Sequence, residues 1–123
     1  MKYLILITAN PAIDAHFAAL PDDERKREFQ LYWDIESDLD ASGELVDSKA
    51  VDAASQQLVT RGPDGAVTSA TSDAETVSGY YLVDVADAAR AAEIAARFPE
   101  AAVSGGGVRV TRVWTQEDFD ATT

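Results

Sequence analysis

The side chains in this sequence that are suited to chemistry are few. His16 is the single histidine, so any proton transfer by an imidazole near neutral pH must use it. Asp14 is close enough in sequence to orient it. The plainer reading of His16 is a surface residue ahead of the first long helix. Tyr32, Trp33, Asp34 and Glu36 fall within about two turns of one predicted helix, and Tyr32 and Glu36 share a face at four-residue spacing. A carboxylate partly buried there has a raised pKa and can act as a base. The plainer reading is a core tyrosine, a groove-lining tryptophan and solvated acids. His16, Tyr32 and Asp34 are the candidate catalytic residues.

Tyr80 and Tyr81 are adjacent on a predicted strand and point to opposite faces of its sheet. One hydroxyl then reaches a pocket or an interface edge, although buried tyrosines also do this for packing alone. Arg109 and Arg112 oppose each other on the last strand. Each suits an anionic ligand or, in so acidic a chain, a neighbouring carboxylate. Tyr81 and Arg109 are the candidate ligand-binding residues.

Other chemistries are excluded or unsupported. Cysteine is absent, which removes disulfides and thiolate metal sites. Asp and Glu are plentiful but form no spaced ligand cluster, so no metal is expected. Gly105-Gly106-Gly107 opens a strand and lacks the Lys-Ser/Thr ending of a phosphate loop. No nucleophile elbow and no dinucleotide fingerprint occur, and no cofactor is expected. Ten Lys and Arg against 22 Asp and Glu give a formal charge of −12. That field repels polyanions, so neither nucleic acid nor an anionic membrane surface is an expected partner. The acidity serves solubility; a cationic protein partner or a salt-adapted proteome are the sharper alternatives.

The elements that must position these residues follow from periodicity. The chain has 123 residues, a size that suits one domain. Residues 1–115 are expected to form that domain, and 116–123 an acidic, frayed tail. Tyr3, Ile5 and Ile7 alternate with Leu4, Leu6 and Thr8, which predicts a strand covered on both faces. It reads as a strand rather than a signal peptide, because the apolar run stops at Thr8-Ala9-Asn10 without a cleavage pattern. With nothing to direct export, the cytoplasm is the expected compartment. Asn10-Pro11 breaks the strand, and 11–20 reads as a loop or short helical turn.

The first long helix is predicted from Pro21-Asp22, with Asp22 as its cap, to a left-handed stop at Gly43. Leu31, Ile35 and Leu39 form its apolar stripe. A strand is expected around 44–46. Leu58–Thr60 and Ala66–Thr68 form a hairpin around Asp64-Gly65. Residues 69–76 lack periodicity and read as the most mobile internal loop. Gly79–Val85 is a strong strand. Asp87 caps a second helix, thinly apolar through Ala88, Ala91, Ala92, Ala95, Ile94 and Phe98, which Pro99 ends. Val108–Trp114 is the last strand. Helices on one face of a mainly antiparallel sheet define an α+β, ferredoxin-like sandwich. Two helices cover one sheet face only, yet strands 2–8 and 80–85 are apolar on both. A second copy covering the other face predicts a homodimer of the dimeric α/β barrel type. The alternative is that segments 9–20 and 69–76 fold over that face.

Several segments, taken in order, resemble the YCII-related (DGPF) family: Lys2–Ile7, Pro21–Arg25, Gly79–Val85, Glu93–Pro99 and Gly107–Val110. The resemblance covers nearly the whole chain except 69–76 and the tail. It departs in two places. The Asp-Gly-Pro-Phe tetrad is replaced after Val67-Thr68 by Ser69-Ala70-Thr71-Ser72. The helix histidine proposed to act in better-known members falls, counted back from Gly43, on Tyr32. The resemblance implies the scaffold without that imidazole. It also implies a small-molecule-binding or accessory protein, with a regulatory role in sigma-factor systems. The alternative it leaves open is a cofactor-independent isomerase, lyase or monooxygenase acting on a small, possibly aromatic, substrate through a carboxylate or His16.

Overall fold

The computed structural model describes residues 1–71 and 75–122. Its framework is a four-stranded antiparallel sheet of β1 (Lys2–Ala9), β2 (Leu45–Ala50), β5 (Thr76–Asp84) and β6 (Val108–Arg112), in the order β2-β5-β1-β6. Two long connections cross one face, α2 (Asp22–Ser42) between β1 and β2 and α3 (Ala88–Ala95) between β5 and β6. This is the ferredoxin-like α+β arrangement expected from the order of elements. A separate two-stranded hairpin pairs β3 (Gln57–Arg61) with β4 (Val67–Thr71).

Register decides which residues meet the helices. Ile5 sits opposite Tyr81 on one side and Val110 on the other, and Tyr3 opposite Val83. The buried residues Tyr3, Ile5, Ile7, Tyr81 and Val83 meet Ile35 and Leu39 of α2 and Ala91, Ile94 and Ala95 of α3 to make the core, with Phe98 beside them. The intervening residues Leu4, Leu6, Tyr80 and Leu82 share the opposite face, where they are only partly buried. A bulge between Ile7 and Thr8 breaks the alternation and turns Thr8 inward, where its hydroxyl donates to the Gly107 carbonyl at 2.6 Å.

Several expectations about local structure are corrected. Residues 11–20 form a true helix, α1 (Pro11–Ala19). Asn10 does end β1, as read, and is also the cap of α1, accepting from the Ile13 amide. Asp22 does not cap α2 but is its first helical residue; Pro21 holds the N-cap position without a side-chain bond, and Gly43 ends the helix at φ +78°. Leu31 remains exposed, because the sheet-facing stripe runs through Tyr32 rather than Leu31. Ser69–Thr71 belong to β4 and Thr76 to β5, so part of the expected loop is strand; residues 72–74 of it lie outside the described residues. α3 stops at Ala95, and a 3-10 turn, Pro99–Ala102, follows Phe98. The tail forms a helix, α4 (Gln116–Ala121), fixed by a capping box at Thr115 and a two-pronged Arg112–Asp118 pair at 2.7 and 2.9 Å. Among the described residues no helix is long and apolar enough to cross a membrane.

α1 packs against the start of α2 and not over the free sheet face. The Phe17 and Phe29 rings stack at 5.6 Å, and Arg25 donates to the carbonyls of Phe17 and Leu20.

Candidate functional site

The middle of α2 carries large side chains on the side that faces a groove at the sheet. Phe29, Tyr32, Trp33 and Glu36 are spaced three and four apart, so they share one helical face. Beneath them lie Ser48 of β2, Ile7 of β1, and Gly79 and Tyr81 of β5. The space enclosed is about 630 Å³, the size of a small-molecule site. Gly79 keeps its floor low: a Cβ there would lie 3.1 Å from the Lys49 carbonyl oxygen. Trp33, 66% exposed, stands at the rim.

Its polar groups are arranged in two layers. In the wall, Ser48 Oγ donates to Glu36 Oε1 at 2.6 Å. Lys49 contributes to the lining, but its ammonium is held by Asp47 Oδ1 at 2.6 Å and by the Ser48 carbonyl at 3.1 Å. Behind the wall, the Tyr32 hydroxyl donates to Glu100 Oε1. Glu100 is 3% exposed, and its Oε2 has no hydrogen-bond partner among the described residues. Burial pushes the Glu100 carboxyl above the usual carboxylate range; the Tyr32 bond opposes this and the nearby Glu28 adds to it. Tyr32 is raised well above an ordinary phenol, by burial first and then by Glu100 and Glu28. Tyr81 is pushed up to about 12 by burial, then by Glu36 and Glu100. His16 Nε2 lies 3.1 Å from Glu28 Oε2, at the outer end of this layer. Ring contacts link Phe17, Phe29, Tyr32, Phe98 and Tyr81 in sequence.

Of the residues singled out from sequence, Tyr32 and Tyr81 meet in the groove. His16 pairs with Glu28 rather than with Asp14, and it approaches Tyr32 only through that layer. Asp34 lies on the exposed side of α2, where Gln30 donates to it at 3.0 Å. Arg109 sits in register with Leu6, on the free face of the sheet, and grips Glu75 Oε1 at 2.8 and 3.0 Å. Glu28, Ser48, Gly79 and Glu100 were not singled out. Glu28 had a legible signal, because Glu28, Tyr32 and Glu36 recur every four residues. Glu100 had none: a carboxylate following proline reads as solvated. Among the described residues no three His, Asp or Glu side chains gather as a metal would require.

The strand–helix order and a groove between the first crossing helix and the sheet edge define a ferredoxin-like α+β protein with room for a small ligand. The family model of the YCII-related domain matches residues 1–117, and the chain belongs to that family. No curated protein matches the chain.

Proposed function

We propose that this protein binds a small molecule in the groove between α2 and the sheet, and that it works as a homodimer. One observation carries the binding reading: a space of about 630 Å³ walled by Phe29, Tyr32, Trp33 and Tyr81, with the Glu36–Ser48 pair as its polar fixture. Such a subunit also fits the accessory or regulatory role that the sequence resemblance implies. Trp33→Ala is the direct test. Trp33 is largely exposed, so its loss is expected to change stability by less than about 0.5 kcal/mol. Ligands found by thermal-shift screening of metabolite pools are expected to bind the variant about tenfold or more weakly. Unchanged affinity across those ligands overturns the groove as the site.

The dimer reading is supported by Leu4, Leu6, Tyr80 and Leu82, which line a sheet face opposite both crossing helices. The β3–β4 hairpin points the same way. Leu58, Val59 and Val67 are exposed on it, and a two-stranded hairpin without cover is marginal in water. Leu6→Lys is expected to convert a dimer to a monomer by light scattering. A wild-type monomer at micromolar concentration ends this reading.

A second reading, a cofactor-independent proton-transfer enzyme, is favoured by Glu100. A buried carboxyl held above its ordinary pKa and bonded to a groove tyrosine is a suitable acid–base group. With a substrate in hand, Glu100→Gln then lowers kcat by about a hundredfold or more. A full rate in that variant removes Glu100 from the chemistry.

A further inference from the structure

We infer that the groove's ligand is an organic cation, an ammonium carried on an apolar or aromatic body; this rests on the reading of the groove as a ligand site. The aromatic wall and the charge balance argue for it together. Phe29, Tyr32, Trp33 and Tyr81 surround the space, and aromatic rings attract cations through the negative potential of their faces. The Tyr32 hydroxyl is turned away to Glu100, so Tyr32 presents its ring to the groove and spends its donor elsewhere.

Glu36 supplies the charge. Ser48 Oγ occupies one of its oxygens, and the other takes no hydrogen bond from any described residue. None of the described cations forms an ion pair with Glu36. The lining's own ammonium, Lys49, is already bonded to Asp47 and to the Ser48 carbonyl. Glu28 and Glu100 stand behind Tyr32, and the Tyr81 phenol registers the field of both Glu36 and Glu100. An anionic ligand would meet this field with one ammonium on its side, Lys49, which Asp47 already holds and which also feels the charge of Glu36. A neutral ligand would use the rings and offer the Glu36 oxygen at most a hydrogen bond, leaving its charge uncompensated. A cation uses the rings and the carboxylate at once.

The test is calorimetric titration of the whole protein with three probes that share one skeleton: 2-phenylethylammonium, 2-phenylethanol and phenylacetate. The ammonium is expected to bind about tenfold tighter than the alcohol, to weaken with added salt, and to leave phenylacetate undetectable. In Glu36→Gln, which keeps the oxygen that accepts from Ser48, the preference for ammonium over alcohol is expected to collapse towards one. Thermal unfolding verifies that this variant is folded, and Ser48→Ala, which loosens the carboxylate, is expected to reduce the preference if it is not. Equal or tighter binding of phenylacetate, or a preference unchanged in Glu36→Gln, overturns the cation class. Binding of the alcohol with no advantage to the ammonium overturns the class but keeps the groove. Binding of none of the three at millimolar concentration overturns both.

Discussion

α3 meets the sheet through Ala91, Ile94 and Ala95, all buried, while α2 buries Ile35 and Leu39 and turns Phe29, Tyr32, Trp33 and Glu36 towards a groove at the sheet. Small side chains let α3 lie close. What remains beside it is a more open depression of about 310 Å³, lined by alanine, valine and glycine with no titratable side chain. The middle of α2 carries rings instead, and the space beside it collects a carboxylate, two phenols and serines. The same layer of helix on sheet therefore gives core on one side and a site on the other. The size of the residues at three- and four-residue spacing decides which.

The comparison predicts unequal responses to equal truncations. Ile94→Ala is expected to destabilise the fold by about 2–5 kcal/mol, because the cavity it leaves is in close-packed core. Trp33→Ala, on the groove side, belongs at the other end of that scale. Denaturant unfolding of the pair measures the difference, and equal losses would break the contrast. Ala91→Leu comes next, at about 1–3 kcal/mol, since Ala91 is fully buried and α3 has no room to retreat.

Glu100→Gln sharpens the comparison through pH. The folded carboxyl has its pKa raised above the unfolded one. Between those two values the folded state holds the extra proton, so stability falls as pH rises, by at most about 1.4 kcal/mol per pH unit. The stabilising contribution is fully present below the unfolded carboxylate pKa and is lost as pH passes the folded one. Gln cannot titrate. The variant is therefore expected to close on wild type in acid and to gain on it towards neutral pH; parallel stability curves would contradict the account. The smallest effect is expected at Asp34→Asn, on the solvent side of the same helix, within about 0.5 kcal/mol and without change in ligand affinity.

Much of the scaffold was legible because its signals are local. Gly43 ends α2 and Asp87 caps α3 as read, and Asp64-Gly65 turns the hairpin with Gly65 at φ +84°. Alternation in β1 and β5 assigned the two sheet faces except at Thr8, which the bulge after Ile7 turns inward. Short elements failed where one residue type carries two meanings. Asn10 followed by proline ends a strand, yet the same pair caps and opens α1. The tail reads as frayed by composition, but Thr115 and Asp118 have the spacing of a capping box, and Arg112 anchors the helix. The site was half legible. Helical spacing brought Tyr32 and Glu36 together, whereas the Tyr32–Glu100 bond joins residues 68 apart in sequence, a distance over which no periodicity reports.

The placing of the two tryptophans has an optical consequence. Trp33 stands in water at the groove's rim, while Trp114 lies edge-on to the Phe119 ring at 4.9 Å, beside α4. A Trp114→Phe variant keeps a single indole, and that indole is the one a ligand must pass. Its emission reads groove occupancy without a label: burial beneath a bound molecule shifts it to shorter wavelength, and an acrylamide quencher loses access in step with saturation.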